Sequence, residues 1–152
     1  MSIDDDIALL QGVPTLALLG RDPLRILAIG AETRYMKNGE VLFREGDAAD
    51  GGYVVQEGAF RLAPAKNADR ATTVGPGTLI GELALFSETR RPLTATASEP
   101  SMVLRIPRPL FLKMLDGYPD LAYRLRNTLA ERAARMVGEL GFARSMLRQE
   151  GE

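Results

Sequence analysis

A glycine-bounded stretch followed by two arginines carries the residue types best suited to hold a phosphorylated sugar. It reads GTLIGELALFSETRRPLT over residues 77–94. Residues 81–85 contain good helix formers, and a helix start presents unpaired N–H groups and a positive dipole end. Arg90 and Arg91 follow, and a guanidinium holds a phosphate through two parallel hydrogen bonds. Because the Glu82 carboxylate accepts hydrogen bonds from sugar hydroxyls, the stretch predicts a pocket for a phosphate and a ribose.

Strand alternation distinguishes the two arginines. Residues 93–97 alternate as a strand whose odd-numbered side chains point inward, so Arg91 shares the inward face and Arg90 points outward. We therefore expect Arg91 to bind the phosphate and Arg90 to be a solvated surface residue. Each feature taken alone also has a structural explanation: a solvated arginine pair, a glutamate that stabilises a helix start, or a helical turn that caps a barrel.

The composition excludes most kinds of catalytic site. The 152 residues contain no histidine and no cysteine. Thiol nucleophiles, Ser/His triads, Cys/His zinc sites and disulfides are therefore excluded, and we expect neither an enzyme nor a metal site. The net charge of −1 and the pI near 5.6 argue against a nucleic-acid-binding protein, which normally has a dense basic face.

The sequence carries no pattern typical of a membrane protein or a secreted one. Its apolar runs are shorter than the roughly 20 residues of a membrane span. Residues 1–6 contain three aspartates where a secretory signal would contain basic residues. We therefore expect a cytoplasmic protein that does not bind membranes.

The periodicity of apolar residues divides the chain into three segments. Apolar residues from Ile7 to Ile29 have helix-like spacing broken by prolines, which predicts two or three short helices in residues 1–30. Residues 31–107 alternate over short runs separated by turns, including a hairpin signal at Asn38-Gly39. Residues 108–152 are again helical. This order predicts one domain over residues 1–152, mainly β with flanking helices, built as a jelly-roll, also called a double-stranded β-helix.

The stretch at residues 81–94 resembles the phosphate-binding cassette of the cyclic nucleotide-binding domain family. That family includes kinase regulatory subunits, nucleotide-gated channels and the catabolite activator protein. Its cassette runs Gly-Glu-Leu-Ala-Leu, a short loop, then Arg-Ala/Ser-Ala-Thr; here the corresponding segments are GELAL at 81–85 and RPLT at 91–94. The resemblance covers about residues 10–137. It extends to turn glycines at Gly39, Gly46, Gly58, Gly77 and Gly81.

The resemblance implies a role for each cassette residue. Glu82 would accept a hydrogen bond from the ribose 2′-hydroxyl, and Arg91 would bind the cyclic phosphate. Backbone N–H groups around Gly81, Leu83 and Ala84 would assist. Thr94 closes the matching segment, so it joins the candidate site. The expected ligand is cAMP or cGMP, with no other cofactor.

Pro92 departs from the family pattern. It has neither an N–H nor a hydroxyl, so a phosphate donor is lost. A missing hydrogen bond to a charged group costs on the order of 1.5 to 3 kcal/mol, roughly ten- to hundredfold in affinity. Two functions stay open: a stand-alone regulatory receptor, or a protein-interaction module whose pocket no longer binds nucleotide. The missing hydroxyl favours cAMP, because cGMP-preferring members place one there.

A long C-terminal helix, opened by Pro119, is expected to signal to a second copy or to another protein. In the catabolite-activator branch such a helix pairs two subunits and precedes a helix-turn-helix, which we do not expect here. Met136 and Val137 would lie near the base. The apolar seam has a heptad spacing and predicts a homodimer, the alternative being a helix packed on its own domain. The seam comprises Leu129, Ala133, Met136, Leu140, Ala143 and Leu147.

Overall fold

The computed structural model describes residues 2–150, with the side chains of residue 133 and residues 136–150 excluded. Within that range, the chain order is N-terminal helices, ten strands and then two further helices, in agreement with the predicted order. The helices are α1 (Ile3–Gln11), α2 (Arg21–Gly30), α3 (Arg108–Asp116) and α4 (Pro119–Glu150). The strands are β1 (Glu32–Met36), β2 (Val41–Phe43), β3 (Ala48–Ala49), β4 (Gly51–Glu57), β5 (Phe60–Ala63), β6 (Thr72–Val74), β7 (Leu79–Ile80), β8 (Thr89–Arg90), β9 (Thr94–Ala97) and β10 (Ser101–Pro107).

Two four-stranded antiparallel sheets share one apolar core. Their strand orders are β1-β10-β4-β7 and β2-β9-β5-β6, and β3 pairs with β8 in a separate two-stranded sheet. Alternating side chains from both larger sheets meet in the core, as expected when each sheet buries one face. The buried members of this core are Met36, Phe43, Tyr53, Val55, Phe60, Ile80, Ala95, Ala97 and Val103. The mainly β fold with flanking helices is therefore confirmed.

The hairpin predicted at Asn38-Gly39 is wrong, because its two strands belong to different sheets. β1 pairs with β10, and β2 pairs with β9. Ala97 in β9 makes two hydrogen bonds to the turn. Its carbonyl accepts from the Gly39 N–H at 2.7 Å, and its N–H donates to the Glu40 carbonyl at 2.9 Å. The chain thereby crosses between the sheets, and Met36 and Phe43 enter the same core from opposite sides.

The N-terminal segment contains α1, a short 3-10 helix at Leu16–Leu19, and α2. The helix α1 starts earlier than the apolar spacing predicts because Ser2 and Asp5 form a capping box. The Ser2 hydroxyl accepts from the Asp5 N–H at 3.1 Å, and the Asp5 carboxylate accepts from the Ser2 N–H at 3.3 Å. Apolar side chains such as Leu10 and Leu24 are fully buried. Two or three short helices are predicted here, and the segment contains three.

The chain divides into two compact units, residues 1–117 and residues 118–152. The first holds both larger sheets, the N-terminal helices and α3. The second is α4, which begins at Pro119 as predicted. Most of the predicted dimer seam, from residue 133 onward except residues 134 and 135, lies outside the described side chains. No helix among the described residues is long and apolar enough to cross a membrane.

Candidate ligand-binding site

The backbone N–H and carbonyl of Arg91 both form hydrogen bonds. Its N–H donates to the Asp47 carbonyl at 2.8 Å, and its carbonyl accepts from the Gly46 N–H at 2.8 Å. Arg91 directly follows β8, which pairs with β3. The side chain therefore leaves a backbone whose position is fixed by the turn before β3.

The Arg91 guanidinium is buried, with 4% of the residue exposed, whereas Arg90 is exposed. The Nη2 of Arg91 donates to the Gly51 carbonyl at 2.8 Å, and its Cζ lies 4.3 Å from the centroid of the Phe43 ring. In the described part of the chain, Nη1 is buried without a hydrogen-bond acceptor. A buried donor of this kind is a costly state that an anion would relieve.

Among the described residues, the Arg91 charge has one ion pair, and it is long: Asp50 Oδ1 lies 3.9 Å from Nη2. Asp50 is engaged by Arg105, whose Nη2 lies 2.6 Å from Oδ2. Burial lowers the pKa of the Arg91 guanidinium, and the Asp50 carboxylate partly opposes that shift. The buried cation therefore favours an anionic ligand.

Gly81 leaves room for this guanidinium. Its φ of 84° is in the left-handed region, which L side chains rarely adopt. A Cβ atom at this position would collide with Arg91 Nη1. The left-handed backbone therefore favours glycine at position 81, and a Cβ there would also require the end of the Arg91 side chain to shift. The 3-10 helix Glu82–Leu85 follows it, where the sequence predicts about a turn and a half of helix.

Two cavities meet at Arg91, and both are lined by Gly81, Arg91 and Pro92. The larger has a volume of about 370 Å³, and residues 82–84 form part of its wall. The smaller, of about 160 Å³, is mostly apolar and includes Phe43. Both cavities are mostly apolar, and the larger also contains the charged side chains of Glu82, Arg90 and Arg91 beside the cassette.

The other predicted site residues differ in position. Leu83 is 65% exposed and lines the larger cavity, as does the exposed Pro92. The Ala84 N–H already donates to the Gly81 carbonyl at 3.1 Å, so it stabilises the cassette turn. The Thr94 hydroxyl accepts from the Glu45 N–H at 2.9 Å, and Thr94 lines neither cavity. Thr94 therefore holds a neighbouring loop at the edge of the cassette.

Glu82 lies in the wall of the larger cavity together with Arg91. Its Oε1 accepts a hydrogen bond from the hydroxyl of Thr15 at 2.9 Å. Thr15 belongs to the N-terminal segment, 67 residues earlier in the chain. The cavity therefore combines a buried cation and an oriented carboxylate, which is the chemistry needed for a phosphate and a sugar hydroxyl.

Arg108, the first residue of α3, also organises the site. Its Nη1 lies within hydrogen-bond distance of three backbone carbonyls: Ala49 at 2.8 Å, Ala84 at 3.0 Å and Ser87 at 3.1 Å. These carbonyls belong to β3, to the 3-10 helix Glu82–Leu85 and to the loop that follows it. Arg108 is not predicted from the sequence, because a lone arginine at a helix start carries no periodic or motif signal.

The match to a family model decides the identity of this fold and site. The model of the cyclic nucleotide-binding domain matches residues 33–118, more than half of the chain. The chain belongs to the cyclic nucleotide-binding domain family. The matched range contains Gly81, Glu82 and Arg91, the residues that the sequence predicts for a phosphate-binding cassette.

Relatives of this cyclic nucleotide-binding domain occur in larger proteins. The lysophospholipase nte1 of Aspergillus fumigatus is 30% identical over 114 residues, which are 70% of this chain and 8% of that protein. The cAMP-dependent protein kinase regulatory subunit of Yarrowia lipolytica is 28% identical over 143 residues, covering 82% of this chain and 38% of that protein. The cyclic nucleotide-binding-like protein of Brucella abortus has a solved structure with 36% identity and a TM-score of 0.67, covering 74% of this chain and 99% of that one.

We predict that Arg108→Ala loosens the cassette of this cyclic nucleotide-binding domain. Loss of the donors to three carbonyls should speed amide hydrogen exchange across residues 82–87 and lower the free energy of unfolding by about 1–3 kcal/mol. The matched control is Arg61→Ala, because Arg61 also donates to a backbone carbonyl, that of Ala68 at 2.7 Å. Equal exchange in the cassette of both variants would contradict the prediction.

Proposed function

We propose that this protein is a regulatory receptor that binds a cyclic nucleotide, cAMP in preference to cGMP, and catalyses no reaction. The observation that carries the proposal is Arg91 Nη1, a buried donor without an acceptor among the described residues, on the wall of a cavity of about 370 Å³. That volume falls in the range typical of small-molecule pockets, about 300–1,000 Å³. Glu82 on the same wall supplies an acceptor for the ribose.

The preference for cAMP rests on Pro92 and on one relative. Pro92 supplies no hydroxyl where cGMP-preferring members of the family place one. The relative from Yarrowia lipolytica is the regulatory subunit of a kinase named for cAMP. The lysophospholipase relative shares only 8% of its length with this chain, so its activity is not carried over.

Calorimetric titration with cAMP, cGMP and 5′-AMP tests the proposal. We expect binding of cAMP, weaker binding of cGMP, and little binding of 5′-AMP, whose phosphate is not held in a ring. Mass analysis of the nucleotide released from purified protein provides a second measurement. Absence of heat with both cyclic nucleotides from protein shown to be nucleotide-free would reject the receptor function.

Pro92 supports a second candidate, an interaction module without nucleotide binding. If the lost donor limits affinity, Pro92→Ser should tighten cAMP binding by roughly ten- to hundredfold, and Pro92→Ala by less, because serine restores an N–H and adds a hydroxyl. Titration of both variants with cAMP measures the change. An unchanged dissociation constant would show that the backbone at position 92 does not face the phosphate.

We also propose that α4 joins two copies of the chain, because the seam of Leu129, Ala133, Met136, Leu140, Ala143 and Leu147 keeps a heptad spacing. The double substitution Met136→Lys and Leu140→Lys places charges in that seam, where desolvation is costly. Light scattering should then report a folded monomer in place of a dimer. Wild-type protein that is already monomeric at a concentration of about 10 μM or more would exclude the dimer.

A further inference from the structure

The hydroxyl of Thr15 does not cap the helix that follows it, although its position predicts that role. Thr15 is the N-cap residue of the 3-10 helix Leu16–Leu19, where a threonine hydroxyl ordinarily accepts a hydrogen bond from a backbone N–H. It makes no such capping bond. Instead its Oγ1 donates to Glu82 Oε1 at 2.9 Å. The hydroxyl therefore serves the cassette and not its own helix.

Burial makes this hydrogen bond a strong constraint on Glu82. Thr15 is 3% exposed, and it lies between the buried side chains of Val13 and Leu16. Its backbone is helical, with φ of −65° and ψ of −41°. A buried, β-branched side chain on a helical backbone has few accessible rotamers. The donor is therefore held in place, and it restricts the position of Glu82 Oε1.

We propose that Thr15 is a positioning residue, which orients the Glu82 carboxylate to accept the ribose 2′-hydroxyl. This inference rests on the proposed function. A carboxylate has about four acceptor positions, and the donor at Oε1 occupies one of them and restricts the orientation of the group. A group held before binding loses less conformational entropy when the ligand arrives, which raises affinity. Thr15 therefore links the N-terminal segment to the recognition of the sugar.

Comparison of cAMP with 2′-deoxy-cAMP isolates this role, because the two ligands differ only in the hydroxyl that Glu82 would bind. Thr15→Val keeps the shape of the side chain and removes the hydroxyl. We expect it to weaken cAMP binding by about three- to tenfold and to leave 2′-deoxy-cAMP binding within about twofold. Thr15→Ser keeps the hydroxyl and should preserve the preference for cAMP. In a Glu82→Ala background, Thr15→Val should have no further effect on either dissociation constant.

Val13→Ala is the matched control for a loosened N-terminal segment, because Val13 is buried in the same segment and carries no hydroxyl. It should affect both ligands equally. Equal weakening of both ligands by Thr15→Val, or tighter cAMP binding, would overturn the positioning role. Wild-type protein that binds neither ligand would instead reject the receptor function itself, and the role of Thr15 with it.

Discussion

Replacing Arg91 by alanine should raise the dissociation constant for cAMP by about a hundredfold or more, because two hydrogen bonds to a charged phosphate are lost at about 1.5–3 kcal/mol each. The guanidinium is buried, and its Nη1 has no acceptor in the described part of the chain. The matched control is Arg90→Ala. Arg90 is exposed and donates to the Gly46 carbonyl at 2.9 Å, so its loss should change affinity by about twofold at most.

A second substitution separates loss of binding from loss of folding. Arg91→Met keeps an unbranched apolar stem against the Phe43 ring and removes the buried charge. Replacing a buried charge by an apolar side chain of similar volume is often neutral or stabilising. The ligand-free variant should therefore stay folded, with a Tm close to that of the wild type, while the rise in Tm on addition of cAMP disappears. Equal loss of affinity in the Arg90 and Arg91 variants would refute the assignment.

The sequence predicts the fold well where strands alternate over several residues. β9 alternates between half-buried and buried residues, β10 is buried at most of its positions, and both are predicted. The two-residue strands β3 and β8 are missed, because two residues cannot display a period. The hairpin signal at Asn38-Gly39 correctly locates a turn but not its partner. A local signal cannot state that Ala97, far along the chain, will hydrogen-bond to that turn.

In the candidate site, too, local sequence features are predicted, whereas contacts between residues distant in the chain are not. Strand parity predicts that Arg91 is buried and Arg90 exposed, and the burial of the two residues agrees. The neighbours that tune Arg91 are not predicted, because Phe43 and Gly51 come from other strands. The roles of Thr15 and Arg108 are not predicted from the sequence for the same reason. Their hydrogen bonds to the cassette depend on tertiary packing, which motif spacing does not encode.

Gly81→Ala should produce the second large loss of binding, because the added Cβ meets the group that would hold the phosphate. The methyl group collides with Arg91 Nη1, so the guanidinium must move away from its bond to the Gly51 carbonyl. We expect about a ten- to hundredfold rise in the dissociation constant for cAMP, a loss of about 1.4–2.8 kcal/mol. Titration measures this change, and thermal unfolding measures the accompanying loss of stability.

The control for backbone strain is Gly39→Ala. Gly39 has a φ of 87°, close to the 84° of Gly81, and a Cβ there meets no atom within 4 Å among the described residues. Both variants therefore carry the same left-handed penalty of roughly 1–2 kcal/mol, and only Gly81→Ala disturbs the guanidinium. Gly39→Ala should lower the Tm and leave cAMP affinity within about twofold. If both variants lose affinity alike, strain in the roll and not the contact with Arg91 explains the glycine at position 81.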